Sequence, residues 1–109
     1  MNDKELLELA AKAAGIDWFD DPAAKHGRGL HMKSGPFWNP LTDDGDALRL
    51  AVKLHINIEI WNVDTLIGAN IYLMGRGHGY FQERYTTDPY AATRRAIVRA
   101  AAAIGPEKK

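Results

Sequence analysis

The first apolar pattern along the chain has the spacing of an α-helix. Apolar residues recur every three or four positions near the start, at Leu6, Leu7, Ala10, Ala11 and Ala14. Residues at this spacing share one face of a helix. Asn2 or Asp3 can cap the start of that helix, and Gly15 can end it. We therefore predict a helix over residues 3–14.

A second helix is predicted over residues 44–54, after an aromatic turn at Phe37 and Trp38. The side chain of Thr42 or Asp43 can accept hydrogen bonds from the free amides of its first turn. The acidic residues that follow suit the positive end of the helix dipole. The residues that we expect this helix to bury are Ala47, Leu48, Ala51, Val52 and Leu54.

A third helix is predicted over residues 89–104. Thr87 or Asp88 can cap it, Pro89 is tolerated at its first position, and Gly105 with Pro106 ends it. The residues that we expect it to bury are Ala92, Ala96, Ile97, Ala100, Ala101 and Ile104. We expect a solvated face carrying Arg94, Arg95 and Arg99, with binding of phosphate or an acidic partner as the alternative.

Between the second and third helices the apolar spacing changes from helical to alternating. Ile56, Ile58 and Ile60 alternate with Asn57, Glu59 and Trp61, which predicts a strand with one face in the core and the other wet or covered by a partner. Further strands are predicted at residues 66–74 and 80–85, and the three form an antiparallel meander. Earlier in the chain, residues 16–19 and 30–32 are short extended candidates.

The order of elements predicts an α+β fold. A small three-stranded antiparallel sheet is packed against about three helices, in the order helix, loop, helix, strand, strand, strand, helix. The length of 109 residues fits one domain, 1–109, with a frayed tail at 106–109. Because a short sheet leaves edges that must be covered, we also expect a two-fold homodimer.

The charge balance changes the set of partners to consider. Lys and Arg together number 14, as do Asp and Glu, so the charge balance disfavours a broad nucleic-acid surface. The chain contains no cysteine, which fits a reducing compartment, and it lacks a signal-peptide pattern or a membrane-spanning run. We expect a cytoplasmic protein without a membrane partner.

Two glycine-rich segments, residues 25–29 and 75–79, place cations among glycines. Such loops can bind phosphate through backbone amides and a guanidinium group. We predict that Arg28 and Arg76 bind phosphate and that His26 and His78 are supporting donors. The alternative is a pair of solvated turns, because Gly and charged residues are common in turns.

Aromatic side chains add a second element to this predicted ligand site. Trp38 or Tyr80 is expected to stack on a base. For Trp38 the favoured alternative is that it fastens the chain before the second helix onto the core. Stacking would require the Trp38 ring to be exposed.

No complete catalytic motif is present. Ser34 lacks a Gly-x-Ser-x-Gly context, and the four histidines lack the spacing of a zinc site. We therefore expect a protein that is not an enzyme and that needs no cofactor or metal.

Three segments together resemble small accessory proteins of tailed phages related to NinX. They are residues 1–16, the segment WNPLTDDGDALRLAVKL at 38–54 and the segment DPYAATRRAIVRAAAAIG at 88–105. The resemblance implies expression in an infected bacterium and binding of a host factor that serves defence. It supplies no site motif of its own.

Three hypotheses of function follow. The first is sequestration of a nucleotide-derived immune signal, a nucleotide-like small molecule, by the predicted ligand site. The second is a protein-protein inhibitor that binds a host enzyme or defence complex through the strand face of Asn57, Glu59 and Trp61 or through the third helix. The third is a nucleic-acid accessory factor that uses the arginines of that helix.

Overall fold

A computed structural model of the chain describes residues 2–19, 29–60, 66–72, 78–84 and 88–105, with the backbone alone for 66–72 and 78–80. In chain order the elements are helix α1 (Asp3–Ala14), strands β1 (Leu30–His31) and β2 (Phe37–Trp38), helix α2 (Asp44–Lys53), strands β3 (Asn57–Ile60), β4 (Leu66–Tyr72) and β5 (His78–Arg84), and helix α3 (Pro89–Ile104). The predicted α+β class is confirmed.

A polar side chain caps the start of each described helix. Asn2 accepts a hydrogen bond from the amide of Glu5 at 2.8 Å. Asp43 does the same for Asp46 at 2.8 Å. A cap of this kind stabilises a helix by about 1 kcal/mol. Asp88 caps α3 by accepting from Ala91 at 3.0 Å. The predicted bounds of α1 and α3 are confirmed, whereas α2 ends at Lys53, one residue earlier than predicted.

The chain leaves α2 through a residue in the left-handed region. His55 has a φ of 56°, and the amide of Ile56 donates to the carbonyl of Ala51 at 2.9 Å across it. Glycine is the usual residue after a helix in this conformation, because a Cβ atom is disfavoured there. The left-handed conformation of His55 therefore lowers the free energy of unfolding relative to a glycine at this position.

Replacing His55 by glycine is expected to raise the free energy of unfolding by about 0.5 kcal/mol, because the relief of the left-handed conformation exceeds the added chain entropy. The melting temperature then rises by about 3 °C for a chain of this size. His55→Ala keeps the Cβ atom and is the matched control, for which we expect no gain. A fall in the melting temperature of His55→Gly would contradict this account of the turn.

The strands form two antiparallel sheets. The larger has the order β3-β4-β5, with Asn57 opposite Asn70 and Leu66 opposite Arg84. The smaller pairs β1 with β2 and is extended by a bridge between Trp18 and Met32. The sequence-based prediction contained one sheet and lacked the smaller sheet of β1 and β2. Both short extended candidates take part in pairing, but the segment predicted as an aromatic turn is strand β2.

Helix α3 is the central element of the core, since it contacts α1, α2, β4 and β5. Alanines are fully buried on both α1 and α3, which allows these helices to approach closely. At the end of α3, an added Cβ atom on Gly105 would lie 2.5 Å from the carbonyl oxygen of Leu9. The residues predicted to be buried on α1 and α3 are all buried.

The burial predicted for α2 is partly wrong. Leu50 is buried, whereas Leu48 is 59% exposed and Val52 is 67% exposed. Ala47, Leu50 and Ala51 follow the spacing of one helical face and pack into the core. Leu48 and Val52 form a second apolar stripe, one turn apart, that the core does not cover.

Candidate functional site

For most residues of the predicted ligand site, the structure does not describe the side chain. Arg28, Arg76 and His26 fall outside the described residues. His78 and Tyr80 are on β5, opposite Tyr72 and Asn70 respectively. Phosphate binding by the two glycine-rich segments therefore stays a prediction.

Trp38 has no free ring face for a base. Its side chain is 4% exposed and belongs to the hydrophobic core, and its backbone pairs with Leu30 on β1. The alternative prediction, in which Trp38 fastens the chain before α2 onto the core, is confirmed. The stacking role predicted for Trp38 is wrong, because its burial leaves no room for a ligand ring.

The three arginines of α3 bind other parts of the same chain. Arg94 donates to a carboxylate oxygen of Asp44 at 2.6 Å and to the carbonyl of Leu41 at 2.9 Å. Arg95 pairs with Asp3 at 3.0 Å. These contacts connect α3 to α2 and α1.

Arg99 makes the third of these connections, from α3 to β5. It pairs with the carboxylate of Glu83, donates to the carbonyl of Gln82 at 2.9 Å and lies over the ring of Phe81. The predicted solvated face is confirmed only in part, because Arg95 and Arg99 stay 41% and 38% exposed at their side chains but also form ion pairs within the chain. A phosphate or acidic partner would compete with carboxylates of this chain at all three arginines.

An uncovered apolar surface surrounds a groove of about 580 Å³ between α2, β3 and the start of α3. Its walls carry Leu48 of α2 and Tyr90 of α3, which are 59% and 68% exposed. Ile58 and Ile60 of β3 and Ile97 of α3 complete its apolar lining. We call this site, defined by Leu48, Ile58, Ile60, Tyr90 and Ile97, the apolar groove.

Burial decreases along β3 as the strand leaves the core. Ile56 just before the strand is 7% exposed, Ile58 is half-buried, and Ile60 is 68% exposed. The alternating pattern predicted all three isoleucines in the core, with the face of Asn57, Glu59 and Trp61 wet or covered by a partner. The uncovered apolar residues are instead on the isoleucine face, and Trp61 lies outside the described residues.

Strand β3 borders the groove and is at the edge of the larger sheet. It pairs with β4 on one side, and no described strand pairs with its other side. Alternate residues of an edge strand direct their N–H and C=O groups away from the sheet, where another strand can bind them. The groove therefore lies beside a strand edge of the larger sheet.

The rim of the groove carries one exposed carboxylate. Asp44 is 68% exposed at its side chain, and its ion-pair partner Arg94 is 16% exposed. Both residues line the groove. Because Arg94 is mostly covered and Asp44 is exposed, the charged group that an occupant meets at the rim is the carboxylate. The remaining lining is mainly apolar, so the site suits an apolar occupant better than a free anion.

Within the described ranges, no group of three or more His, Asp or Glu side chains is arranged to hold a metal ion. None of the helices in those ranges has the length and apolar character needed to cross a membrane. Comparison with protein-family models, curated proteins and solved structures finds no match to this chain.

Proposed function

We propose that this protein is a non-enzymatic binding protein whose apolar groove binds an extended apolar segment of a partner protein. The observation that carries the proposal is the exposure of Leu48, Ile60 and Tyr90, at 59%, 68% and 68%, around one cavity. Contiguous exposed apolar surface is typical of protein interaction sites. Burying these side chains against a partner removes them from water and drives association.

The edge position of β3 favours an extended segment as the occupant. A strand added to a sheet edge gains main-chain hydrogen bonds, and its alternate side chains can enter a neighbouring pocket. Here Ile58 and Ile60 belong to the edge strand and also line the groove. The proposed segment therefore pairs with β3 and directs every second side chain towards Leu48 and Tyr90.

The acidic residues at the rim of the groove favour a basic residue in the bound segment. The carboxylate of Asp44 lies at the rim, and Asp43 precedes it at the start of α2. Complementary charges increase the rate and specificity of association. We propose that the bound segment has apolar residues at alternating positions and a basic residue at the end nearest α2.

The resemblance to NinX-related phage proteins supports a biological setting for this activity. We propose that the partner is a protein of the infected bacterium, and that the chain counters defence by covering a strand-forming segment of that protein. Inhibition then results from occupancy and requires no chemistry by this chain.

Selection from a displayed library of random short peptides tests the proposed function. The full chain is immobilised, and bound peptides are eluted and sequenced over successive rounds. We expect enrichment of peptides with alternating apolar residues and a basic end. Counter-selection against the Ile60→Asp variant removes peptides that bind elsewhere.

Three results would contradict the proposal. One is the absence of enriched peptides, and another is enrichment of helical patterns with apolar residues three and four positions apart. The third is a stable dimer of the chain that Ile60→Asp dissociates, since a second copy would then occupy the groove. Sedimentation of the wild type and the variant measures this last outcome.

A further inference from the structure

A second cavity, of about 480 Å³, lies between the β1-β2 hairpin and α2. One wall includes Ile16, Met32 and Phe37, and the opposite wall includes Leu50, Arg49 and Lys53. Its volume falls within the range of about 300–1,000 Å³ that is common for small-molecule sites. We call it the hairpin cleft, and it shares no lining residue with the apolar groove.

The aromatic wall of the hairpin cleft is held by a row of rings. His31 and Phe37 are stacked with their centroids 4.8 Å apart, and Phe19 meets His31 edge-on at 5.1 Å. The turn behind Phe37 is closed by the amide of Met32, which donates to the carbonyl of Pro36 at 3.0 Å. Phe37 is 37% exposed, so a supported ring lines the cleft and remains accessible.

The opposite wall provides positive charge. Arg49 and Lys53 are one turn apart on α2 and share a face of that helix. Arg49 already donates to Asp46 at 2.7 Å. Lys53 forms no ion pair with any residue in the described ranges.

The carboxylates that line the cleft are already engaged. Asp46 accepts from the amide of Asn39 at 3.0 Å as well as from Arg49. Asp43 accepts from the amide of Asp46 at 2.8 Å as the cap of α2. With these carboxylates occupied, Lys53 is the group on this wall that is available to an anion.

We propose that the hairpin cleft binds a small aromatic anion, with its ring against Phe37 and Met32 and its anionic group at the ammonium of Lys53. Flat rings gain from offset stacking on an aromatic side chain, and a lysine ammonium is a mobile point charge for an anion. This inference goes beyond the proposed binding of an extended segment in the apolar groove. It does not depend on that function, because the two sites share no lining residue.

An NMR titration of the full-length chain with naphthalenesulfonate tests the inference. We expect saturable shifts of the amides of Phe37 and Lys53, without shifts at Ile58 and Ile60. Lys53→Met keeps the apolar stem, removes the charge and should weaken binding about fivefold, as expected for an exposed charge pair. Lys53→Arg restores the charge and should retain binding.

Naphthalenemethanol, which has the same ring without the charge, should bind the wild type about as weakly as naphthalenesulfonate binds Lys53→Met. Both substitutions are at an exposed side chain, and a melting curve of each variant checks its fold. Equal affinity of Lys53→Met and wild type would overturn the proposal. The absence of saturable shifts, or shifts confined to the apolar groove, would also overturn it.

Discussion

Replacing Ile60 by aspartate is expected to weaken binding of a peptide enriched in the library selection about 30-fold or more. This is the effect expected when a central apolar contact of an interface is lost. The change places a charge in a surface that becomes dry on binding, where an unpaired carboxylate is costly. Since Ile60 is 68% exposed in the free protein, the free energy of unfolding should fall by no more than about 1 kcal/mol, which is the range of strand propensities. Fluorescence anisotropy of a labelled peptide measures the dissociation constant.

Asn57→Asp is the matched control for this substitution. It adds the same charge to the same strand, at an exposed residue that does not line the groove. We expect its dissociation constant to remain within about twofold of wild type, because residues 57 and 60 lie on opposite faces of the strand and the added charge stays in water. Wild-type affinity in Ile60→Asp would contradict the site assignment. Equal losses in both variants would show that net charge, rather than the groove, controls binding.

Replacing Gly29 by alanine should strongly destabilise the fold. Gly29 has a φ of 87°, and an added Cβ atom would lie 2.2 Å from the carbonyl oxygen of Trp38. This oxygen belongs to the backbone of β2 and cannot move away as a flexible side chain could. Strain and overpacking together should lower the free energy of unfolding by about 3 kcal/mol or more.

Gly35→Ala separates the two causes of this loss. Gly35 has a φ of 122°, but an added Cβ atom there meets no atom within 4 Å. Strain alone should cost about 1–2 kcal/mol. Urea denaturation of both variants measures the difference, and a 3 kcal/mol loss lowers the midpoint by about 2 M. Similar midpoints for the two variants would contradict the close approach of Gly29 to β2.

The helices could be predicted from the sequence because their signals are local. A cap residue and an apolar stripe occur within each helix or next to it, and a glycine follows α1 and α3. Asp43 and Asp88 fix the starts of α2 and α3, because each side chain accepts a hydrogen bond from the amide three residues later. No distant part of the chain has to be known for these predictions.

The smaller sheet could not be predicted because its strands contain two residues each. Alternation needs a longer run before it can be distinguished from a turn. Phe37 and Trp38 are adjacent aromatic residues with opposite environments, one exposed and one buried. Their difference depends on pairing with β1, which is a tertiary contact.

The apolar groove was not predicted from the sequence, because helical spacing and strand alternation assigned too many apolar residues of α2 and β3 to the core. Leu48 and Val52 have the helical spacing of buried residues, and Ile60 has the alternation of a core strand. The signal that could have revealed the groove is the excess of apolar positions on α2, because one narrow stripe already contains Ala47, Leu50 and Ala51. An apolar stripe beyond the first indicates a second surface to be covered.

The roles of the α3 arginines depend on contacts between residues far apart in sequence. Arg94 reaches Leu41 and Asp44, and Arg95 reaches Asp3. Periodicity places these arginines on the polar side of the helix but does not identify what faces them. Their pairing also reduces the support for the nucleic-acid hypothesis, since phosphates would compete with the carboxylates that already bind these arginines.

The most direct test of the docking account is a NOESY spectrum of the labelled full-length chain bound to an enriched, unlabelled peptide. We predict backbone contacts between the peptide and Asn57–Ile60 of the kind found between paired strands, together with side-chain contacts to Leu48 and Tyr90. A peptide that binds as a helix, or whose contacts lie away from β3, would contradict the account.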